Sequence, residues 1–249
     1  MALSIWRFIH IYICYLIIFA FILYISYSIL KRDIKNRLNQ ILSLFHICLA
    51  LSLFINFIYT FLSEPSLEPL ATQLHILTIY LGSVSSGFLL LFIILLYKSE
   101  INLKSLKNQL FFMAIYFIIS IGFFLIPQGA KVPIKSDGTQ LYPVWTLPFF
   151  LFYLCVISPT LILSLIICKK LYNEFKVKIL AKRMKLFVLG ICCIYYMGFA
   201  VGLTNFLNVD ILRNIFTLTQ AIPIIGVILI YYSIGRTLKQ PFENYANQN

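Results

Sequence analysis

Seven long apolar stretches constrain what this chain can fold into. They cover approximately residues 9–30, 40–62, 75–97, 108–126, 145–168, 186–208 and 211–233. A helix of about 20 apolar residues crosses the hydrocarbon core of a membrane, so each stretch is long enough to span it. The alternating polarity of membrane barrel strands is missing from runs such as Ile17 to Ile25. We therefore predict an all-α membrane protein in which residues 1–249 form a single seven-transmembrane helix bundle.

The composition excludes several other classes of protein. Of the 249 residues, 61% are hydrophobic and 11% are charged, whereas about a quarter of the residues in a soluble domain are charged. A water-soluble enzyme, a disordered chain and a small disulfide scaffold are all inconsistent with this balance.

The distribution of lysine and arginine predicts the orientation. The linkers after the first, third and fifth stretches, together with the tail at 234–249, carry 16 of the 20 basic residues. Basic residues accumulate in the cytoplasmic loops of membrane proteins. We therefore expect the amino terminus outside, a short cytoplasmic tail, and a cell-membrane location. The same bias accounts for the net charge of +12, so we expect the lipid bilayer, and no nucleic acid, as the partner of these charges.

The ionisable residues favour neither catalysis nor metal binding. All eight acidic residues fall in linkers or at the ends of the apolar stretches, where they form no pair or relay at membrane depth. His10, His46 and His75 lie on different stretches, without the converging ligands that a metal site requires. We therefore expect no enzyme activity, no metal and no cofactor.

Polar side chains are concentrated in the expected outer halves of the apolar stretches, and they are our candidates for ligand binding. The candidates are Asn56, His75, Tyr80, Trp145, Asn205, Asn208, Arg213, Thr217 and Gln220. Polar groups in lipid face the bundle interior or a wet cavity. Two interpretations stay open: hydrogen bonds between helices, or an outward-facing pocket for a small ligand.

Small residues and prolines predict close packing and bends. Gly198 and Gly202 are four residues apart, a spacing that allows helix backbones to approach. Pro159 and Pro223 each remove a backbone donor inside an apolar stretch and are expected to bend the helix. The basic linker 169–185 has an apolar periodicity of about four residues, which predicts a helical segment. This segment either extends the fifth and sixth spans beyond the bilayer or lies on anionic lipid.

Four short segments resemble parts of the seven-transmembrane sensor region found at the amino terminus of prokaryotic histidine kinases. They are the outer segment Lys131 to Trp145 with its turn Lys135–Gly138, the basic pair Lys182-Arg183 ahead of Gly190, Thr204 to Asn208, and Tyr231 to Arg236. The resemblance implies sensing outside the cell and transmission through spans five to seven. Because the sequence contains no kinase domain, it also implies a separate cytoplasmic signalling partner.

We therefore expect a receptor-like membrane sensor that binds an unknown small ligand and signals to a partner on another chain. The alternatives are a transporter of small molecules or lipids, and a scaffold subunit that binds no ligand. No internal repeat of the kind common in transporters is evident in the sequence.

Overall fold

The computed structural model of the chain describes residues 15–97, 105–137, 140, 142–219 and 222–235. Within these residues the chain is almost entirely helical. The elements are α1 (Tyr15–Leu30), α2 (Arg37–Tyr59), α3 (Glu68–Tyr97), α4 (Leu106–Leu125), β1 (Ala130–Lys131), β2 (Val144–Trp145), α5 (Leu147–Glu174), α6 (Lys178–Leu207), α7 (Asp210–Leu218) and α8 (Ile222–Ile230). A short 3-10 helix, Pro65–Leu67, precedes α3, and a π-helical turn, Tyr231–Gly235, follows α8.

Five of these helices are long and apolar enough to cross a membrane. They are Arg37–Tyr59, Pro65–Tyr97 (with the 3-10 turn included), Leu106–Leu125, Leu147–Glu174 and Lys178–Leu207. Two shorter apolar helices, Leu16–Leu30 and Ile222–Ile234, accompany them. The predicted all-α class with membrane-length apolar helices is confirmed, while seven spans and their orientation stay predictions.

The ends of the bundle differ in chemistry. One end, called here the basic end, contains residues 30–37 and the 169–185 segment. The other, called the hairpin end, contains residues 60–68, 126–146 and 207–210. Successive helices from α2 to α6 run alternately between these ends.

Side-chain caps and local sequence determine where several helices begin and end. The Asn36 carboxamide oxygen accepts a hydrogen bond from the Leu38 amide, and the Ser105 hydroxyl accepts one from Asn108. Both contacts satisfy amides that the first turn of a helix leaves without partners. Near the basic end, α5 continues to Glu174 and α6 begins at Lys178, so the predicted helical extensions are present with a break between them.

The predicted seventh span, 211–233, is not one continuous helix. It consists of α7, which is strongly amphipathic, and α8, which is uniformly apolar. Pro223 has no amide hydrogen to bond the Thr219 carbonyl, and its ring disfavours a continuous helix at that point. The helix α7 ends at Leu218 and α8 begins at Ile222, so Pro223, where a bend was expected, lies in the first turn of α8. At about 1.5 Å per residue, Ile222–Ile234 is shorter than a typical spanning helix.

The helix α3 is central to the packing, since it contacts α2, α4 and α5. The backbones of α6 and α8 approach closely at two glycines. A Cβ atom built on Gly190 would lie 2.8 Å from the Gly226 carbonyl oxygen, and one on Gly226 would lie 2.8 Å from the Gly190 oxygen. Of the two glycines that were predicted to allow close packing, Gly198 faces the hydroxyl of Tyr153 on α5 and Gly202 faces its ring.

The segment 126–146, predicted as a simple outer linker, folds back over the bundle. Ala130 pairs with Trp145 and Lys131 with Val144 in the antiparallel sheet. The Val132 amide donates to the Thr72 hydroxyl at 3.1 Å. Val132 and Ile134 are buried in a small apolar cluster with Tyr59 and Ala71. This segment, called the hairpin segment below, thus closes over the ends of α2 and α3.

Candidate functional site

A cavity of about 380 Å³ lies inside the bundle, lined by residues of α1–α3 and α5–α8 and of the hairpin segment. Its lining is mostly apolar, with most of its polar groups towards the hairpin end and some hydroxyls deeper in the bundle. The polar residues at that end are Asn56, Tyr59, Thr60, His75, Thr78, Gln140, Tyr142, Thr204, Asn205, Arg213 and Asn214. A cavity of this size, mainly apolar with a few polar groups, has the character of a small-molecule site.

The cavity is elongated and reaches the surface at the hairpin end. Its lining on α3 extends from His75 to Leu89, which is about 21 Å along the helix axis at 1.5 Å per residue. Tyr142 and Asn214 near the hairpin end are exposed. Phe45 and Leu89, towards the other end, are completely buried. The lining therefore extends from exposed side chains at the hairpin end, called the mouth below, to completely buried side chains deeper in the bundle.

His75 is held by two hydrogen bonds beside this mouth. The indole nitrogen Nε1 of Trp145 donates to Nε2 of His75 at 2.8 Å, and Nδ1 of His75 lies 3.2 Å from the Tyr59 hydroxyl. Tryptophan can only donate, so Nε2 must be the acceptor and the neutral ring carries its hydrogen on Nδ1. All three side chains are at most 5% exposed. The imidazole is therefore fixed in one tautomer and one orientation.

Gln140 connects the hairpin segment to the same cluster. Its carboxamide nitrogen donates to the Tyr59 carbonyl at 2.8 Å, and the side chain is buried. At the outer side of the segment, Lys131 and Glu68 form an ion pair at 3.1 Å. Glu68 also accepts a hydrogen bond from the Ile134 amide at 3.1 Å. The hairpin segment is thus fastened to α2 and α3 by both buried and surface polar contacts.

Arg213 is the one charged residue among the described residues that line the cavity. Its guanidinium donates to the side-chain oxygen of Asn208 and, at 3.4 Å, to the Pro143 carbonyl. Its Cζ atom lies 4.5 Å from the centre of the Tyr142 ring, within the range of a cation–π contact. Arg213 therefore joins α7 to the hairpin segment and to the end of α6.

Hydroxyl groups lie deeper in the bundle, around the closed part of the cavity. The Tyr195 hydroxyl donates to Thr160 at 2.9 Å, and the Ser86 and Tyr116 hydroxyls are 3.0 Å apart. Ser86 and Tyr195 line the cavity. Because these hydroxyls bond to one another or to backbone carbonyls, they fix the helices around an otherwise apolar interior.

The structure brings together some of the predicted site residues. Asn56, His75, Asn205 and Arg213 line the cavity. His75 and Arg213 also form contacts between elements, so the two interpretations left open by the sequence coexist at these positions. Whether any of these residues binds a ligand stays a prediction.

Other predicted residues have different surroundings. Trp145 is on β2 rather than in the fifth span, and its role is to orient His75 behind the cavity wall. Tyr80 packs edge-on against Phe124, with ring centres 5.8 Å apart. Asn208 ends α6 in a left-handed conformation with φ 54°, which asparagine tolerates well. Gln220 and the side chain of Thr217 lie outside the described residues.

Sequence reasoning missed the contribution of the hairpin segment. Gln140 lines the cavity and bonds to α2, but a single glutamine in a linker gives no periodic signal. Ser52, whose hydroxyl donates to the Thr78 carbonyl at 2.9 Å, was also missed. A serine inside an apolar stretch is a weak indicator, since it bonds equally well to its own helix.

Comparisons with known proteins do not identify this chain. No protein-family model, no curated protein and no solved structure matches it.

Proposed function

We propose that this protein is a multi-pass membrane sensor that binds a small ligand in the cavity and signals to a cytoplasmic partner on another chain. The observation that carries the proposal is the cavity itself, which is lined by helices from both halves of the chain and includes exposed residues at the hairpin end. A ligand that bound differently to two packings of these helices would shift the equilibrium between them.

The proposed orientation places the hairpin end outside the cell and the basic end in the cytoplasm. The basic end carries most of the lysine and arginine, which is typical of cytoplasmic loops. In this orientation α7 and α8 complete the seventh passage together, with the break between them. The likeness to histidine kinase sensor regions supports the same direction of signalling, from the cavity to the ends of α5 and α6.

Access to the cavity can be tested with single cysteines in a cysteine-free background. A charged, membrane-impermeant methanethiosulfonate reagent added outside intact cells should modify Asn205→Cys, since Asn205 lines the cavity. The matched control is Leu203→Cys on the same helix, which is 43% exposed and is not in the cavity lining. If the reagent modifies neither cysteine, the result would contradict an outward-opening pocket.

Signalling requires that occupancy of the cavity changes the cytoplasmic side. Hydrogen exchange of the 169–185 segment should therefore change when the cysteine at position 205 carries the reagent. The Leu203→Cys protein, given the same treatment, supplies the baseline. An unchanged exchange rate in the modified protein would favour a scaffold over a sensor.

A transporter is the second candidate, and the broken seventh passage favours it. Transporters commonly build their sites from discontinuous helices. Here Arg213 and Phe216 of α7, and Pro223 and Ile224 of α8, line the cavity on both sides of the break. Reconstituted proteoliposomes distinguish the candidates, because a transporter moves solute across the membrane and a sensor does not.

A further inference from the structure

We propose that the ligand is an amphipathic anion, with a linear apolar chain in the closed part of the cavity and its anionic head beside Arg213. This inference rests on the proposed function, because it specifies the ligand of the same cavity. It follows from the shape of the cavity, the character of its interior and the sign of its one charged lining residue.

The shape favours a chain over a compact solute. A sphere of 380 Å³ would be about 9 Å across, whereas the cavity lining follows α3 for about 21 Å. Most of the deeper lining consists of aliphatic and aromatic groups, among them Ile22, Phe45, Leu49, Leu89 and Val227, with a few serine hydroxyls between them. Burying methylene groups against such a lining is favourable.

The charge at the mouth determines the preferred head group. No aspartate or glutamate is found among the described lining residues, while Arg213 is among them. A guanidinium binds carboxylate or phosphate through paired hydrogen bonds. Asn205 and Asn214, which line the cavity near Arg213, provide further amide donors. The same positive charge disfavours a cationic head.

The arrangement also explains how head-group binding reaches other elements. Arg213 contacts Asn208 at the end of α6, and Pro143 and Tyr142 of the hairpin segment. An anion that draws the guanidinium inward must alter these contacts. Binding would thus change the connection between α7, α6 and the hairpin segment.

The experiment uses the full chain in phosphatidylcholine nanodiscs and a diazirine-bearing C16 fatty acid as the probe. Photolabelling should map to peptides that line the cavity, and laurate should compete about tenfold better than dodecanol, as expected for a charge-assisted hydrogen bond. Dodecyltrimethylammonium should compete worst. Equal competition by all three would overturn the preference for an anion.

Two pairs of variants distinguish binding of the ligand's apolar chain from binding of its anionic head. Leu49→Trp should fill the interior and abolish labelling, whereas Leu51→Trp, 40% exposed on the same helix and outside the lining, should not. Arg213→Gln should reduce the preference for laurate over dodecanol about tenfold. Lys135→Gln, which removes an exposed cation near the hairpin end, should leave the preference unchanged.

A further arm distinguishes a free acid from an anionic membrane lipid. If a bilayer phospholipid is the source, phosphatidylglycerol in the nanodiscs should suppress labelling of the wild type. If a free acid is the source, labelling should persist. Both results support the anionic class.

The outcomes also separate this inference from the proposed function. If Leu49→Trp abolishes labelling but Arg213→Gln leaves the preference for laurate over dodecanol unchanged, the pocket is retained and the anionic head is overturned. Failure of the probe to label the cavity, with Asn205→Cys still modified from outside, would overturn the amphiphile and retain the sensor. If, in addition, the reagent added outside does not modify Asn205→Cys, both the amphipathic ligand and the proposed sensor are overturned.

Discussion

The Trp145 indole donates to Nε2 of His75 at 2.8 Å, and this bond joins the hairpin segment to α3 inside the protein. Both side chains are buried, at 2% and 3% exposure. Their partners leave His75 a single neutral tautomer, with the Nδ1 hydrogen directed at Tyr59. The wall of the cavity mouth is therefore a hydrogen-bonded unit drawn from three elements.

Trp145→Phe should destabilise the protein by about 2 kcal/mol, because it leaves Nε2 of His75 buried without a donor and removes packed volume. Thermal unfolding in detergent measures the effect. Tyr24→Phe, at a position 65% exposed, is the control and should change little. In a double-mutant cycle with His75→Leu, the two substitutions should be non-additive by about 1 kcal/mol; additivity would show that the bond contributes nothing.

Gly190→Ala and Gly226→Ala should each destabilise the protein by about 1–3 kcal/mol. In both cases the new Cβ would meet a backbone carbonyl oxygen at 2.8 Å, and the two helices must separate to accommodate it. The matched control is Gly82→Ala, whose Cβ would lie 3.6 Å from the Ser52 hydroxyl. Thermal unfolding should show that only the control retains wild-type stability. Equal stability of all three variants would contradict the close approach of α6 and α8.

Glu68→Ala should increase hydrogen exchange of the Ile134 amide about fivefold, since a net hydrogen bond contributes about 1 kcal/mol. Exchange measured by mass spectrometry on peptides covering 130–137 reports the change. Glu68→Gln keeps an acceptor for the amide but loses the ion pair with Lys131. Because the Lys131 side chain is 65% exposed, that pair contributes little, and exchange in the Gln variant should stay near the wild-type rate. If hydrogen exchange increases similarly in both variants, the effect comes from the lost charge of Glu68 rather than from the lost acceptor.

The amphipathic helix α7 should have one face towards lipid. Ile211, Ile215 and Leu218 are 66%, 50% and 84% exposed, and their spacing places them on one side of the helix. Phe216 lines the cavity instead, on the other side of the helix. In reconstituted membranes, brominated lipid should quench a fluorophore on Leu218→Cys more strongly than one on Phe216→Cys. The reverse order would contradict the proposed placement of α7.

Much of the helical architecture could be predicted from the sequence. The second to sixth apolar stretches correspond to α2 to α6, with differences at their ends. One such difference is the start of α3 at Glu68 rather than at 75. Hydropathy does not register those additional turns, because they contain polar and charged residues near the hairpin end. Pro223 was predicted only to bend one helix, whereas the structure has two helices there, α7 ending at Leu218 and α8 beginning at Ile222. A proline by itself does not determine whether a helix continues.

The candidate site was less predictable. His75, Asn56, Asn205 and Arg213 were identified because a polar group within an apolar stretch is conspicuous. The sequence offered no reason to associate Gln140 with Tyr59, which are far apart along the chain and hydrogen-bonded in space. It also misplaced Trp145, whose aromatic character fits a membrane interface as well as a buried partner for histidine.

The sequence by itself determined that this chain forms long apolar helices, because backbone polar groups in lipid must be satisfied within each segment. It also determined where the basic residues accumulate. Only the tertiary structure decided that α1–α3 and α5–α8 line a common cavity, and that the hairpin segment folds over the ends of α2 and α3. Those features depend on contacts between residues distant in the chain, where shape and hydrogen-bond geometry outweigh any local pattern.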